Sequence, residues 1–177
     1  MRRLQERWTV TTLTDGDVVV AEPQEGSGLR RLLVAGAVTA AVVLVDQLTK
    51  WWAVDRLPSG PIHVIGTLDL ELSRNTGSAF SLFEGQGFVL AAVAVVLIGA
   101  LSVMVWRAPS LGRAAMVGLI LGGALGNLSD RVFRSDHGAV IDFVDFHFWP
   151  TFNVADSAIT VGCVLLVISL FRMPRTR

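Results

Sequence analysis

Apolar residues run along this chain in four blocks, at residues 32–54, 87–106, 114–128 and 155–171, with polar stretches between them. Each reaches or approaches the roughly 20 helical residues that cross a hydrocarbon core, once partly polar ends are allowed. The second block is the cleanest, with no charged residue from 87 to 106. The third and fourth are short and end in polar clusters, so their outer turns are expected to line a protein-walled cavity. The pattern predicts an α-helical membrane protein with four transmembrane helices. Between the first two blocks the period changes. Thr67, Leu68, Asp69, Leu70, Glu71, Leu72 and Ser73 alternate strictly, as a strand with one apolar face does. Residues 62–65 precede them across Gly66, which predicts a small extracytoplasmic β-hairpin at the outer interface, its leucine face turned to lipid or a lipid-bearing ligand.

Residues 1–29 are polar and are expected to form a flexible extension, with a short hairpin around Asp15 and Gly16 as the lesser alternative. They do not read as a signal peptide, because the apolar run begins too late and is followed by polar residues rather than a small-residue cleavage site. Residues 30–172 would form the four-span domain and 173–177 a cytoplasmic tail.

Composition agrees with a bilayer. Hydrophobic residues make up 52% of the 177 and charged ones only 17%, too apolar a balance for an ordinary soluble domain. Net charge is zero and no basic stripe interleaves with aromatics, which argues against nucleic acid as a partner. The cations are unevenly placed. Arg2, Arg3, Arg7, Arg30, Arg31, Arg107, Arg113, Arg172, Arg175 and Arg177 fall on one side of the four-span frame, and only Lys50, Arg56, Arg74, Arg131 and Arg134 on the other. The positive-inside rule then puts both termini and the 107–113 loop in the cytoplasm, with Trp51, Trp52 and Trp149 at the outer interface and Trp106 at the inner one. The single cysteine, Cys163, lies within the last apolar block and is expected to be an inert core residue.

This threading carries Asp46 and Lys50, Asn127 and Asp130, and Asn153 and Asp156 to the same outer surface. Ionisable groups at such depths are costly, so a functional site is the default explanation. Asp156 sits three residues after Asn153, which is also ordinary helix-start chemistry. Asp130 stands at the C-terminal pole of its helix, where the dipole disfavours a carboxylate, and needs compensation, for which Arg131 and Asn127 are the near candidates. Asp142 and Asp145 fall in a stretch too apolar for a solvated loop, which is expected to pack back and bury Asp142. Asp46 and Lys50 share a helical face as an i, i+4 ion pair. Gly118, Gly122 and Gly126 form a small-residue stripe for close helix approach. His63, His137 and His147 match no compact metal-ligand spacing, so no metal is expected, and no serine elbow is present.

What is left is a pair of carboxylates at the water–membrane boundary. Two such groups close together cannot both ionise cheaply, so one keeps a proton while the other acts as base on water. The residues themselves leave Asp130, Asp142 and Asp145 open as the partner of Asp156, and the dipole argument favours Asp130 as the proton holder.

At these positions the chain resembles the lipoprotein signal peptidases, or signal peptidase II family. The likeness runs through Asp46-Gln47-Leu48-Thr49-Lys50, Asn75-Thr76-Gly77-Ser78-Ala79-Phe80, Gly126-Asn127 with Asp130-Arg131, Val140-Ile141-Asp142-Phe143, and Phe152-Asn153 with Ala155-Asp156-Ser157. The resemblance implies an aspartic endopeptidase of the bacterial plasma membrane that cuts prolipoproteins just before a diacylglyceryl-modified cysteine, with no cofactor. It makes Asp142 and Asp156 the catalytic pair. It implies that Asn127 and Asn153 orient the pair and the scissile carbonyl, Asp130 and Arg131 shape the site, and Asn75 holds the peptide backbone, while the hairpin becomes a cradle over the substrate. Asp46 and Lys50 would brace the first span against the site. A small proton-coupled transporter using the same carboxylates is the rival class, but the second and fourth blocks carry no charge towards the cytoplasm to complete a relay.

Overall fold

The structure, a computed structural model, describes residues 11–12, 18–19, 26–76, 87–134 and 138–171. A short antiparallel pair, β1 (Thr11–Thr12) and β2 (Val18–Val19), precedes the first helix. Helix α1 (Gly26–Arg56) starts inside the stretch expected to be a flexible extension, six residues ahead of the apolar block. A single turn of 3-10 helix (Leu57–Ser59) leads into β3 (Ile62–Ile65) and β4 (Leu68–Asn75). Helices α2 (Gly87–Trp106) and α3 (Leu111–Phe133) follow, then β5 (Val140–Asp145) and α4 (Val154–Phe171). Gly28–Ser59, Leu111–Phe133 and Val154–Phe171 are long and apolar enough to cross a membrane, and Ala91–Trp106 is a shorter apolar helix.

Helix α3 is the centre of the bundle, packing on α1, α2 and α4. The glycine stripe explains how. A Cβ on Gly118 would meet the Ala35 carbonyl at 2.8 Å, one on Gly122 the Val42 side chain at 2.6 Å, and one on Gly126 the Asp46 carboxylate at 2.5 Å. Backbone thus approaches α1 closely, and Thr39 Oγ1 donates across the gap to the Gly118 carbonyl at 3.1 Å. Gly123 and Gly162 do the same between α3 and α4. At the end that carries the α2–α3 connection, Ala35, Val105, Ala108, Ala114, Val117 and Leu121 form one buried cluster. The remaining helix surfaces are apolar and outward, with Leu33, Leu44, Val96, Val167 and Phe171 all exposed, the reverse of a water-soluble protein. Cys163 lies on this outer surface of α4, not in the core as expected. A helix that is apolar all round gives no periodic sign of which face turns inward.

The sheet differs from the two-stranded expectation. It has the order β3-β4-β5, antiparallel throughout, because residues 140–145 add a third strand to the hairpin. Its leucine face does not point to lipid: Leu70 and Leu72 pack with Trp52, Val144 and Val154 around the buried Ala53, Leu57 and Phe143, fastening the sheet to the C-terminal end of α1. Register pairs Ser73 with Asp142 and Asn75 with Val140, so β4 delivers Asn75 beside β5. Past that strand, Phe152 exchanges backbone hydrogen bonds with Val144, bringing the start of α4 back to the sheet.

Candidate active site

Five elements, α1, α3, β4, β5 and α4, converge at one end of the bundle. The first is α1, which contributes Asp46, Gln47 and Lys50. Asp46 and Lys50 are completely buried and pair at 2.9 Å, as their i, i+4 spacing predicts. The pair is only part of a larger arrangement, because Lys50 Nζ also reaches Asp130 Oδ2 at 2.9 Å and donates to Asn127 Oδ1 at 2.9 Å.

Helix α3 supplies Asn127, Asp130 and Arg131, and runs to Phe133 rather than stopping near 128. Asp130 is fully buried in its last turn, and its compensation comes from elsewhere than expected. Arg131 and Asn127 do not pair with it. Lys50 does, together with Arg134 Nε at 2.8 Å, Gln47 Nε2 at 3.1 Å and the Ile141 backbone N–H at 3.1 Å. A carboxylate with two cations and two neutral donors no longer resists the helix C-terminus, which is why the helix continues through it. Arg131 instead donates Nη1 to the Asn127 carbonyl at 3.3 Å, and its buried Nε has no hydrogen-bond partner among the described residues.

Strand β5 and the start of α4 carry the remaining groups. Asn153 caps α4 with a reciprocal pair of bonds: the Asp156 N–H donates to Asn153 Oδ1 at 2.9 Å, and the Asn153 N–H donates to Asp156 Oδ2 at 3.1 Å. The helix-start reading of Asp156 is therefore correct, but it uses only one carboxylate oxygen. The other, Oδ1, accepts from Asn127 Nδ2 at 2.8 Å. Asp142, 2% exposed, accepts from Asn153 Nδ2 at 2.7 Å on Oδ1 and from Asn75 Nδ2 at 3.0 Å on Oδ2. Burial pushes its carboxyl up to about 7, with the Asp156 charge adding to the rise and the bonds from Asn75 and Asn153 opposing it. At neutral pH this group holds a proton much of the time.

Asp46, Lys50, Asn75, Asn127, Asp130, Arg131, Asp142, Asn153 and Asp156 therefore all share one connected site. Asp145 does not. It turns away to His147, whose Nε2 meets Asp69 Oδ2 at 3.0 Å, while His63 Nδ1 meets the other Asp69 oxygen at 2.6 Å. The hydrogen bonds from these histidines hold the Asp69 carboxyl below the usual carboxylate range. His137 lies outside the described residues, and among the described residues no group of three or more His, Cys, Asp or Glu side chains is arranged to hold a metal. Two members of the site escaped the sequence reading. Gln47 bonds Asp46, Asp130 and the Gly126 carbonyl; it lies within the Asp46–Lys50 motif but has no role in the sequence reading. Arg134 was signalled, since it follows Asp130 by four residues on one helical face.

An apolar helical bundle with a buried carboxylate and carboxamide cluster at one end is the build of a membrane protein with a polar site. Two solved structures described as bacterial membrane enzymes share the fold, at TM-scores of 0.69 and 0.70 and 28% identity; they cover 78% and 79% of this chain and 87% and 94% of their own. The chain belongs to the signal peptidase II family, whose model, described as Signal peptidase (SPase) II, matches residues 38–172. It is 45% identical to the lipoprotein signal peptidase of Rhodococcus jostii (strain RHA1) over 155 residues, 84% of this chain and 77% of that one. To the lipoprotein signal peptidase of Mycobacterium tuberculosis (strain ATCC 25618 / H37Rv) it is 41% identical over 152 residues, 83% and 75% of the two chains. Membership makes it a membrane protease and sets aside the transporter reading.

Proposed function

We propose that this protease is an aspartic endopeptidase that removes signal peptides from prolipoproteins just before a diacylglyceryl-modified cysteine, with Asp142 and Asp156 as its catalytic pair. The observation that carries the reading is Asn153, whose backbone N–H binds Asp156 while its side-chain amide binds Asp142. One residue thus ties together both carboxylates, one on β5 and the other in the first turn of α4. The charge of the pair belongs on Asp156, which takes two N–H donors at the positive end of α4. The proton belongs on Asp142.

In this mechanism Asp156 takes a proton from water as its oxygen bonds to the scissile carbonyl carbon. Asp142 gives its proton to the carbonyl oxygen, which forms a neutral gem-diol. Collapse breaks the carbon–nitrogen bond; the proton held by Asp156 passes to the leaving nitrogen, and one diol hydroxyl returns its proton to Asp142. In this reading Asn75 holds the peptide backbone, Arg131 shapes the site, and no cofactor is required. The four helices span the bacterial plasma membrane with both termini cytoplasmic, so the pair faces outward and the sheet forms the cradle above it.

Purified protein in detergent should cleave a diacylglyceryl-modified precursor peptide and leave the unmodified peptide intact, with full activity after exhaustive chelation. Loss of cleavage on chelation with recovery on adding zinc would sink the aspartic mechanism. Orientation has its own test. In a Cys163→Ala background, Glu71→Cys should react with an impermeant thiol reagent in intact cells and Pro109→Cys should not. The opposite labelling would put the site in the cytoplasm.

A further inference from the structure

Lys50 is fully buried, and its ammonium touches three groups, Asp46, Asp130 and Asn127. Each leads to the aspartate pair. Asp46 Oδ1 accepts the backbone N–H of Ala155 at 3.0 Å, the peptide unit just before Asp156. Asp130 Oδ2 accepts the backbone N–H of Ile141, the residue just before Asp142, at 3.1 Å. Asn127 reaches Asp156 itself.

The third arm carries the chemistry. A carboxamide has an oxygen end that accepts and a nitrogen end that donates, of nearly equal size, so its orientation is decided by its neighbours. An ammonium only donates, and Asn153 Nδ2 also donates towards the same Asn127 atom at 3.1 Å. That atom must be the oxygen, which leaves the Asn127 NH2 to face Asp156. Reversed, the amide would set its oxygen against the Asp156 carboxylate and draw the shared proton to the wrong partner. Charge balance points the same way. Among the described residues Lys50, Arg131 and Arg134 are cations facing Asp46, Asp130, Asp142 and Asp156, and these seven groups sum to zero with one proton on the catalytic pair.

We infer that Lys50 is a positioning residue for the aspartate pair, holding the two peptide units that present Asp142 and Asp156 and fixing the Asn127 amide so that it donates to Asp156. The inference rests on the pair proposed above. It does not require Lys50 to touch substrate.

The test uses the full-length protein and a lipidated precursor peptide, with wild type and Asp156→Asn as references. Lys50→Met alone leaves Asp46 and Asp130 under-compensated. Lys50→Met with Asp46→Asn restores the net charge and keeps an acceptor for the Ala155 N–H. In Lys50→Met the alkaline limb of the pH profile, carried by Asp142, moves to higher pH because a nearby positive charge is gone; adding Asp46→Asn brings it back. The kcat of the charge-balanced double variant stays about 100-fold below wild type, with KM within about 3-fold, because the amide is no longer held. A double variant with wild-type kcat overturns the inference. If the lysine variants do not fold, selectively labelled wild type decides: the Asn127 side-chain amide must show one proton protected from exchange and sensitive to Asp156→Asn, and a freely exchanging amide overturns the inference. Wild type that fails to cleave the lipidated peptide refutes the underlying reading instead, and the amide measurement then judges Lys50 by itself.

Discussion

Asp142→Asn and Asp156→Asn should each lower turnover of lipidated precursor by at least about four orders of magnitude at matched folded concentration, while the protein still inserts and binds substrate. Each replacement removes a group that must exchange a proton and leaves the neighbouring carboxamides nearly the same shape to pack against. If Asp156 were only the partner of the Asn153 cap, its replacement would cost about 1 kcal/mol of local stability and leave chemistry intact. Asp145→Asn is the internal control, since that carboxylate faces His147 and not the pair. Near-normal turnover in either of the first two variants would refute the assignment.

Stability separates the two aspartates further. Asp142 has a folded-state carboxyl raised from 3.8 to about 7, so its burial is cheapest below about pH 4, and the penalty grows as pH climbs from there to about 7. An asparagine there has no such penalty. Stability of Asp142→Asn relative to wild type should therefore improve from about pH 4 to about pH 7 and level off above it, by at most about 4 kcal/mol, even though the variant is inactive. Activity of the wild type should fall over the upper part of that range, as the proton donor is lost. A stability difference that stays flat across this window would mean that Asp142 is ionised in the resting protein.

What the sequence could disclose follows from how local each signal is. The apolar blocks announced the long helices, and the i, i+4 spacing of Asp46 and Lys50 announced their ion pair. The end of α3 was misplaced because Ser129, Asp130 and Arg131 look like a helix terminus until Lys50 from another helix neutralises Asp130. Strand β5 went unseen because Val140, Ile141, Asp142 and Phe143 are all buried, so the alternation that marks a half-exposed strand is missing. The choice of Asp142 over Asp130 and Asp145 was likewise not a local matter. It depends on Asn153, eleven residues away, and on register with Asn75 across the sheet.

Gly123 shows how closely packing and chemistry are linked at this site, and Gly123→Ala should damage both. A Cβ there would overlap the Ala155 carbonyl oxygen and sit 2.6 Å from Ile159 Cγ1. Ala155 is in the first turn of α4 with Asp156 beside it, and a backbone atom cannot step aside as a side chain can. Relief has to come from moving the start of α4 off α3, which stretches the bond from Asn127 to Asp156. A loss of about 1–3 kcal/mol in stability is expected from overpacking. A fall of about 100-fold in turnover should accompany it, since a displacement near 1 Å disrupts a positioned pair. Gly122→Ala meets the Val42 side chain instead, on the α1 side, so it should cost stability while sparing turnover of the folded fraction. Gly99→Ala in α2 meets nothing within 4 Å and should be neutral to slightly stabilising, by up to about 1 kcal/mol. The three are compared by thermal unfolding and by cleavage at matched folded concentration; normal turnover in Gly123→Ala would show that α3–α4 spacing does not set the geometry of the pair.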